Sequence, residues 1–327
     1  MLRVDHVNVG HGDMSLVELP DGEFMLVDCN LGADSEALDF LQSRIPIGAD
    51  GKRRIAVLLV THPDADHITG IGVLEDEGFE IQQVWESKYR FADDGIRRPE
   101  YEQFLSLVER LGGSTKLIPG RQPRQTHGVD LYTFCSCGTG PNDDIHFNGL
   151  VIKIAHAGRA VLFSGDSDLA AWRDKVVPLS GPGENRAVEN LLAANYLHAS
   201  HHGSRTFFMT AKGDKPYLEG LELVNPDVTV ISSLSRAASE QAGGDDQDWP
   251  PHDDAIECYR DFSGEVLITG EDGTVTFTIS DNGDIARSYS ADGVVARAGR
   301  RTQPSIRVAT AVPTATILAQ PKPWCVD

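Results

Sequence analysis

The heptapeptide Thr61-His62-Pro63-Asp64-Ala65-Asp66-His67 constrains this 327-residue chain more than any other stretch. It follows Ile55-Ala56-Val57-Leu58-Leu59-Val60, a nearly unbroken apolar run of the kind found in a strand buried on both faces. Two imidazoles and two carboxylates thus stand where a buried strand gives way to a helix, so their side chains can converge on one point. Two negative charges and two imidazoles beside an apolar strand carry an electrostatic penalty that a bound cation relieves. His62, Asp64, Asp66 and His67 are accordingly the first candidate metal ligands.

Two later segments extend the set. Val161-Leu162-Phe163-Ser164-Gly165-Asp166 reads as an apolar strand that delivers a carboxylate to a sheet edge. Asn195–Ser200 reads as a short strand leading into His201-His202-Gly203-Ser204. Adjacent side chains on an extended chain point in opposite directions, so one histidine of the pair is expected to bind metal while the other acts as an acid or orients substrate.

Around these motifs the chain alternates strands and helices. LRVDHVNV, MSLVEL and EFMLVD near the start read as a β-meander, with glycines and Asp21 at the turns. Helices are expected over Ser35–Ser43, near Ile68–Glu77, over Glu100–Leu111 and over Ala187–Ala193. Further strands are expected near IQQVWES and at Gly128–Cys135, Gly149–Ala155, Ala160–Ser164, Val228–Ser232, Glu265–Thr269 and Val275–Ile279. Ala237–Asp248, acidic and without an apolar period, reads as a mobile loop.

Lys and Arg number 29 against 49 Asp and Glu, a net charge of −20. Such a body repels a nucleic-acid backbone except where positive charge is concentrated, which disfavours a sequence-independent DNA coat protein. The five cysteines are odd in number and form no paired metal knuckles; Cys135 and Cys137 read as neighbours on one strand face. No stretch approaches the roughly 18 apolar residues of a membrane helix, and the start carries no basic-then-apolar leader, so a cytoplasmic address is expected. From Ile285 the character changes: six basic residues stand against two acidic ones, among scattered Pro, Thr and Ala. Residues 1–284 are read as one hydrolase domain and 285–327 as a partly ordered extension that could dock a protein partner or add a strand to the sheet.

The order of these motifs resembles the metallo-β-lactamase superfamily. More narrowly, it resembles the hydrolase domain at the end of the competence protein that imports DNA. The resemblance spans about residues 2–280 and rests on Val9-Gly10-His11-Gly12-Asp13, Leu26-Val27-Asp28, the Thr61–Gly70 loop, Asp166 and His201-His202-Gly203-Ser204. It implies an α/β fold, a four-layer αβ/βα sandwich, with two divalent metal ions where the sheets meet. His62 and Asp64 would bind one, Asp66 and His67 the second, Asp166 would bridge them, and His201, or else His202, would complete a sphere. Asp64 stands where most members have a histidine. The histidine usually found before the bridging aspartate has no clear equivalent, since Asn148 sits near that place and His146 two residues earlier. A harder, more anionic first site would follow, shifting preference from zinc toward manganese or magnesium.

Such a pair of ions makes water reactive near neutral pH and favours anionic phosphodiesters. The expected function is therefore a metal-dependent phosphodiesterase or nuclease acting on nucleic acid or a small nucleotide, short or single-stranded. Asp66, His202 and His252, the last in Pro250-Pro251-His252-Asp253, are the residues assigned to the chemistry; the alternative for His252 is an exposed loop histidine. Lys88, Arg90, Arg97 and Arg98, with Arg121, Arg124 and Arg205, could hold a few nucleotides, with Tyr89 and Phe91 or Phe207 and Phe208 stacking on bases. The alternative there is an ordinary basic surface over core aromatics. Hydrolysis of a lactone, thioester or peptide, and a non-catalytic assembly role, are the competing functions.

Overall fold

The computed structural model describes residues 1–32, 35–138, 144–180, 189–243 and 249–290, together with the short strand 306–309. The strands, in chain order, are β1 Leu2–His6, β2 Ser15–Glu18, β3 Phe24–Val27, β4 Arg53–Ile55, β5 Val57–Val60, β6 Phe79–Ile81, β7 Val84–Glu86, β8 Thr115–Lys116 and β9 Arg124–Thr126. They continue with β10 Val129–Cys135, β11 Val151–His156, β12 Arg159–Phe163, β13 Tyr196–His198, β14 Val228–Ile231, β15 Glu265–Ile268, β16 Val275–Ile279, β17 Ile285–Ser290 and β18 Ile306–Ala309.

Two mixed sheets carry the architecture. One runs β18-β17-β16-β1-β2-β3-β5-β7-β8 and the other β15-β14-β13-β12-β11-β10-β9, while β4 and β6 pair separately. In each, an antiparallel meander passes into a parallel segment: β3-β5-β7-β8 in the first, β12-β13-β14-β15 in the second. Parallel neighbours require crossover connections, and helices supply several of them.

The layers follow from the two-residue period of the strands. In β5, Val57 and Leu59 face the second sheet while Leu58 and Val60 face helices; in β12, Val161 and Phe163 face inward while Leu162 faces out. The inner core joins Val4, Val17 and Met25 of the first sheet to Leu131, Ile152 and Val230 of the second. Outside the first sheet, Leu41, Leu74, Phe104 and Leu107 pack from the helices Glu36–Arg44, Ile71–Asp76 and Pro99–Arg110. Outside the second, Trp172, Leu221, Ile256 and Tyr259 do the same from the Leu169–Ser180, Glu219–Val224 and Asp253–Phe262 segments. This is the four-layer αβ/βα sandwich that the family resemblance implies.

Two expected elements differ. Residues 189–193, the described part of the expected Ala187–Ala193 helix, are not helical. Their carbonyls are taken up elsewhere: Lys153 Nζ donates to Leu191 O and, at 3.4 Å, to Ala193 O. The Ala237–Asp248 stretch, read as a loop, is a helix over Arg236–Gly243, and residues 244–248 lie outside the described residues. Its Ala, Glu and Gln are good helix formers, Ser235 Oγ accepts from Ala238 N–H at 3.2 Å, and Arg236 pairs with Glu271 at 2.9 Å.

Ile285–Ser290 pairs antiparallel with β16, so the first residues read as an extension continue the sheet. A partner-docking role for the rest falls mostly on residues 291–305 and 310–327, outside the described residues. No helix among the described residues is long and apolar enough to cross a membrane.

Across the inner core Tyr196 stacks on Phe277 with ring centroids 3.6 Å apart. Phe277→Ala is expected to lower the unfolding free energy by about 3–5 kcal/mol, measured by urea titration. A loss below 1 kcal/mol would show that the sheets do not depend on this contact.

Candidate metal centre

The loops leaving the carboxyl ends of the parallel strands converge at one edge of the sandwich, the usual place for a site in an open α/β sheet. The strand β5 leads into Thr61–His67, β3 into Asp28, β12 into Asp166, and β13 into His201 and His202. The β1–β2 turn brings His11 and Asp13, and the β10–β11 connection brings His146. Gly12, at φ 123°, lets that first turn lie against the site: a Cβ there would stand 2.5 Å from the Asp66 carbonyl oxygen and collide with Asn30.

Asp166 is at the centre and only 3% exposed. Its Oδ1 lies 3.1 Å from His67 Nε2, and its Oδ2 lies 3.8 Å from His62 Nε2, 3.6 Å from His201 Nε2 and 3.6 Å from His202 Nε2. Potential ligand atoms gather in adjoining groups around this carboxylate. His62, Asp64 and His146 form the first and Asp66, His67, Asp166 and His202 the second; a third, His146, Asp166 and His201, joins them through His146 and Asp166. Asp64 also caps the Ala65–Ile68 helix, accepting from Ala65 N–H at 2.9 Å.

Neighbouring groups fix how the imidazoles face. Asp28, buried behind the site, accepts from Thr61 N–H at 2.7 Å, from Thr61 Oγ1 at 2.7 Å and from His67 Nδ1 at 2.8 Å. His202 Nδ1 donates to the Ser232 carbonyl at 2.9 Å. With Nδ1 engaged, each ring turns Nε2 toward Asp166, the carboxylate–histidine and carbonyl–histidine arrangement that supports metal ligands. Buried His62 Nε2, His67 Nε2 and Asp166 Oδ1 have no hydrogen-bond partner among the described residues, and the 3.1 Å approach of the last two lacks the alignment of one. Buried polar atoms are rarely left so. Oriented, unpartnered nitrogen and carboxylate donors at one point fit a divalent cation.

The charges of the metal-free protein are strongly coupled. Burial alone would push the Asp166 carboxyl up, but His67, His202, His201 and His62 outweigh it and hold it well below the ordinary range. Burial likewise opposes a proton on His67, and Asp166, Asp28 and Asp66 carry its pKa well above the usual value. His202, opposed by burial but facing Asp166, Asp13 and Asp66, is pushed up to about 10. Burial and the neighbouring His67 hold His62 neutral.

The structure gathers six residues named from the sequence, His62, Asp64, Asp66, His67, Asp166 and His201, and revises three other points. First, His201 and His202 both face Asp166. Neither is extended: at φ 49° and 54° they are left-handed, and Gly203 continues at 79°. Consecutive non-glycine residues rarely adopt this strained conformation, and it swings both rings to one side. Second, the imidazole thought to be lacking is present. His146 packs against His201 and His62, with ring centroids 4.5 and 5.5 Å away. Asn148 instead fixes the loop, accepting from Lys175 Nζ at 3.1 Å and donating to Asp144 O at 2.9 Å. The first group is thus richer in nitrogen than the amide reading implied.

Third, His252 is in none of these groups and is not an exposed loop residue. It is 6% exposed, and its Nδ1 accepts from Arg205 N–H at 3.0 Å while its own N–H binds Gly203 O at 3.1 Å. It braces the left-handed loop from behind. His11, met in the sequence only as part of a turn, stands at the rim with Nε2 3.5 Å from Asp66 Oδ2 and its ring 4.6 Å from His202. Asp13, His198 and His6 form a further buried layer, with His198 Nε2 3.3 Å from Asp13 and the two imidazoles stacked at 5.0 Å. Cys135 and Cys137 are free thiols apart from the site.

No family model and no curated protein matches this chain by sequence. Solved structures similar to it include the metallo-β-lactamase fold protein YhfI from Bacillus subtilis, 15% identical over 88% of this chain and 100% of that one, with a TM-score of 0.46. Igni18, a metallo hydrolase from the archaeon Ignicoccus hospitalis, is 14% identical over 85% of this chain and 100% of its own, at 0.45. The diiron β-hydroxylase CmlA from Streptomyces venezuelae is 14% identical over 81% of this chain and 52% of its own, at 0.46. Likeness at this level says nothing of chemistry, which is read from the side chains themselves.

A raised histidine pKa has a definite effect on stability. Below pH 6.5 His202 is protonated folded or unfolded, whereas between 6.5 and about 10 only the folded state holds the proton. The metal-free protein is therefore expected to melt at lower temperature as pH rises through that window, measured by calorimetry in chelator. His202→Gln should flatten this slope, and an unchanged slope would remove the charged His202 from the account.

Proposed function

We propose that the chain is a binuclear metallohydrolase that cleaves a phosphodiester in a nucleotide or a short single strand. The observation that carries this reading is the single buried carboxylate, Asp166, shared between two groups of nitrogen and oxygen donors. In this reading His62, Asp64, His146 and His201 hold one ion, Asp66, His67 and His202 hold the other, and Asp166 bridges. Divalent cations bound there would supply Lewis acidity that lowers the pKa of water and neutralises charge on the attacked phosphate. Zinc and manganese both suit a mixed imidazole and carboxylate set, and the extra imidazole of His146 moves the balance back toward zinc from magnesium.

The protein's own groups do the positioning. Asp28 holds His67 in the tautomer that presents Nε2, and the Ser232 carbonyl does the same for His202. His11 covers the Asp66 side of the site, with Trp249 packed against it at 5.0 Å, and narrows the approach of solvent. Asp66 is 28% exposed at its side chain, so this donor is reached by solvent beside the His11 cover.

Surface charge favours a small substrate over a long duplex. Most of the sequence's basic cluster is already engaged: Arg90 and Lys88 pair with Glu86, Arg98 with Asp94, and Arg205 with Asp254. Arg121 donates to main-chain carbonyls, and Arg124 lies 4.3 Å over Trp85. Phe207 and Phe208, at 3% and 0% exposure, are core residues and offer no stacking face. A polymer binder would keep a continuous run of free cations.

The metal-loaded chain is expected to hydrolyse bis-nitrophenyl phosphate in preference to a lactone, thioester and peptide panel. Asp166→Asn should lose bound ions by elemental analysis and lose that hydrolysis with them. Turnover of the lactones or thioesters alone would overturn the phosphodiester assignment. Asp28→Asn, which keeps every proposed ligand, should weaken metal affinity about 10–100-fold, read by competition with a chromogenic chelator.

A further inference from the structure

Beside the first donor group a recess of about 170 Å3 opens between the Pro63–Ala65 turn and residues 91–101. It is smaller than the roughly 300–1,000 Å3 of a site that encloses a drug-sized ligand, and suits one planar ring. One wall is a preformed stack: Arg98 lies 4.2 Å over the Phe91 ring and is fixed by two bonds to Asp94, at 3.0 and 2.7 Å. Tyr101 meets Phe91 edge-on at 5.0 Å and closes the floor. A guanidinium plane stacked on an aromatic ring is a surface on which nucleobases stack.

Two charged groups in the recess are left over by the fold. Arg97 is 79% exposed at its side chain and, among the described residues, pairs only with Glu102, 3.8 Å away. An exposed pair at that distance is worth little, so the guanidinium can turn to a phosphate. Glu100, at the start of the Pro99–Arg110 helix, lines the recess and carries no hydrogen bond or ion pair among the described residues. An ionised carboxylate is a hydrogen-bond acceptor with two oxygens side by side. Asp64, on the opposite wall, belongs to the first donor group.

We infer that this recess is the nucleobase subsite of the substrate: a guanine stacks on the Arg98–Phe91 pair, donates its adjacent N–H and amino groups to the Glu100 carboxylate, and turns a non-scissile phosphate to Arg97. The inference rests on the phosphodiesterase reading and narrows it to guanine-containing nucleotides. A carboxylate matches two parallel donors on guanine, whereas uracil, through its ring N–H, and adenine, through its amino group, each offer one donor beside an acceptor that leaves a carboxylate oxygen unpaired, so both rank below guanine.

Calorimetric titration of the full chain, in excess Mn2+, with guanosine and uridine 5′-monophosphates separates base recognition from binding by metal, because the phosphate is common to both ligands. The guanine nucleotide should bind at least tenfold tighter. Glu100→Gln should reduce that ratio to about threefold or less, and Arg98→Ala should weaken both nucleotides. Equal affinities in the unaltered chain, or an undiminished ratio in Glu100→Gln, would overturn the subsite. In parallel, kcat/KM on guanine and uracil dinucleotides should show the same preference and lose it in Glu100→Gln. Selective guanine binding with no diester hydrolysis would refute the phosphodiesterase reading and leave the subsite standing. Hydrolysis without base preference would do the reverse.

Discussion

Asp166 lies almost wholly out of water with imidazole nitrogens of four histidines within 3.8 Å. Withdrawing a carboxylate from water costs several kcal/mol, and only close, well-aimed opposite charge offsets it. Every loop at this edge is shaped by that requirement. The chain accepts a left-handed pair at His201 and His202 and a tight Gly10–Asp13 turn to bring the rings and their supports into reach. Without cations, protons on His67 and His202 supply the balance. Divalent ions would supply it more locally, and the unpartnered nitrogens show where.

The sandwich makes such a cluster affordable elsewhere in the structure. Period-two strands bury both faces of each sheet, so the carboxyl ends of β3, β5, β12 and β13 are held by the main core and are not free to splay. The loops between them inherit that rigidity. Behind the donors, Asp28, Thr61 and Ser232 lock individual rings, and His252 braces the Gly203–Arg205 turn. Ligand identity and ring orientation are thus set by different residues, as they are at well-ordered metal sites generally.

Net charge and site chemistry are reconciled by pairing. A body of −20 would repel phosphates, and most of its cations near the opening are already spent on carboxylates of the fold. What remains exposed is local, chiefly Arg97, and reaches a ligand only over short range because mobile ions screen charges beyond about 8–10 Å. In the proposed reading this surface suits a small anion drawn in by metal ions better than a long polyanion.

The amino-acid sequence by itself determined the alternation of strands and helices and put forward His62, Asp64, Asp66, His67, Asp166 and His201 as candidate ligands, because strand periodicity and the residues at strand ends are local patterns, while the resemblance in motif order implied the layered αβ/βα scaffold. It also located most of the core strands closely, since buried apolar runs bounded by turns have few other readings, whereas the short strands Thr115–Lys116 and Arg124–Thr126 carry no such run. Only the tertiary structure decided that His201 and His202 face the same way, that His146 and not Asn148 reaches the site, that His252 is a brace, and that most of the basic cluster is neutralised. Each of these depends on backbone dihedrals or on partners far along the chain. Lys175 on Asn148 lies 27 positions away, and Arg205 beneath His252 lies 47. A pattern along the chain records which groups are available, but their directions and their partners are fixed only when distant segments pack together.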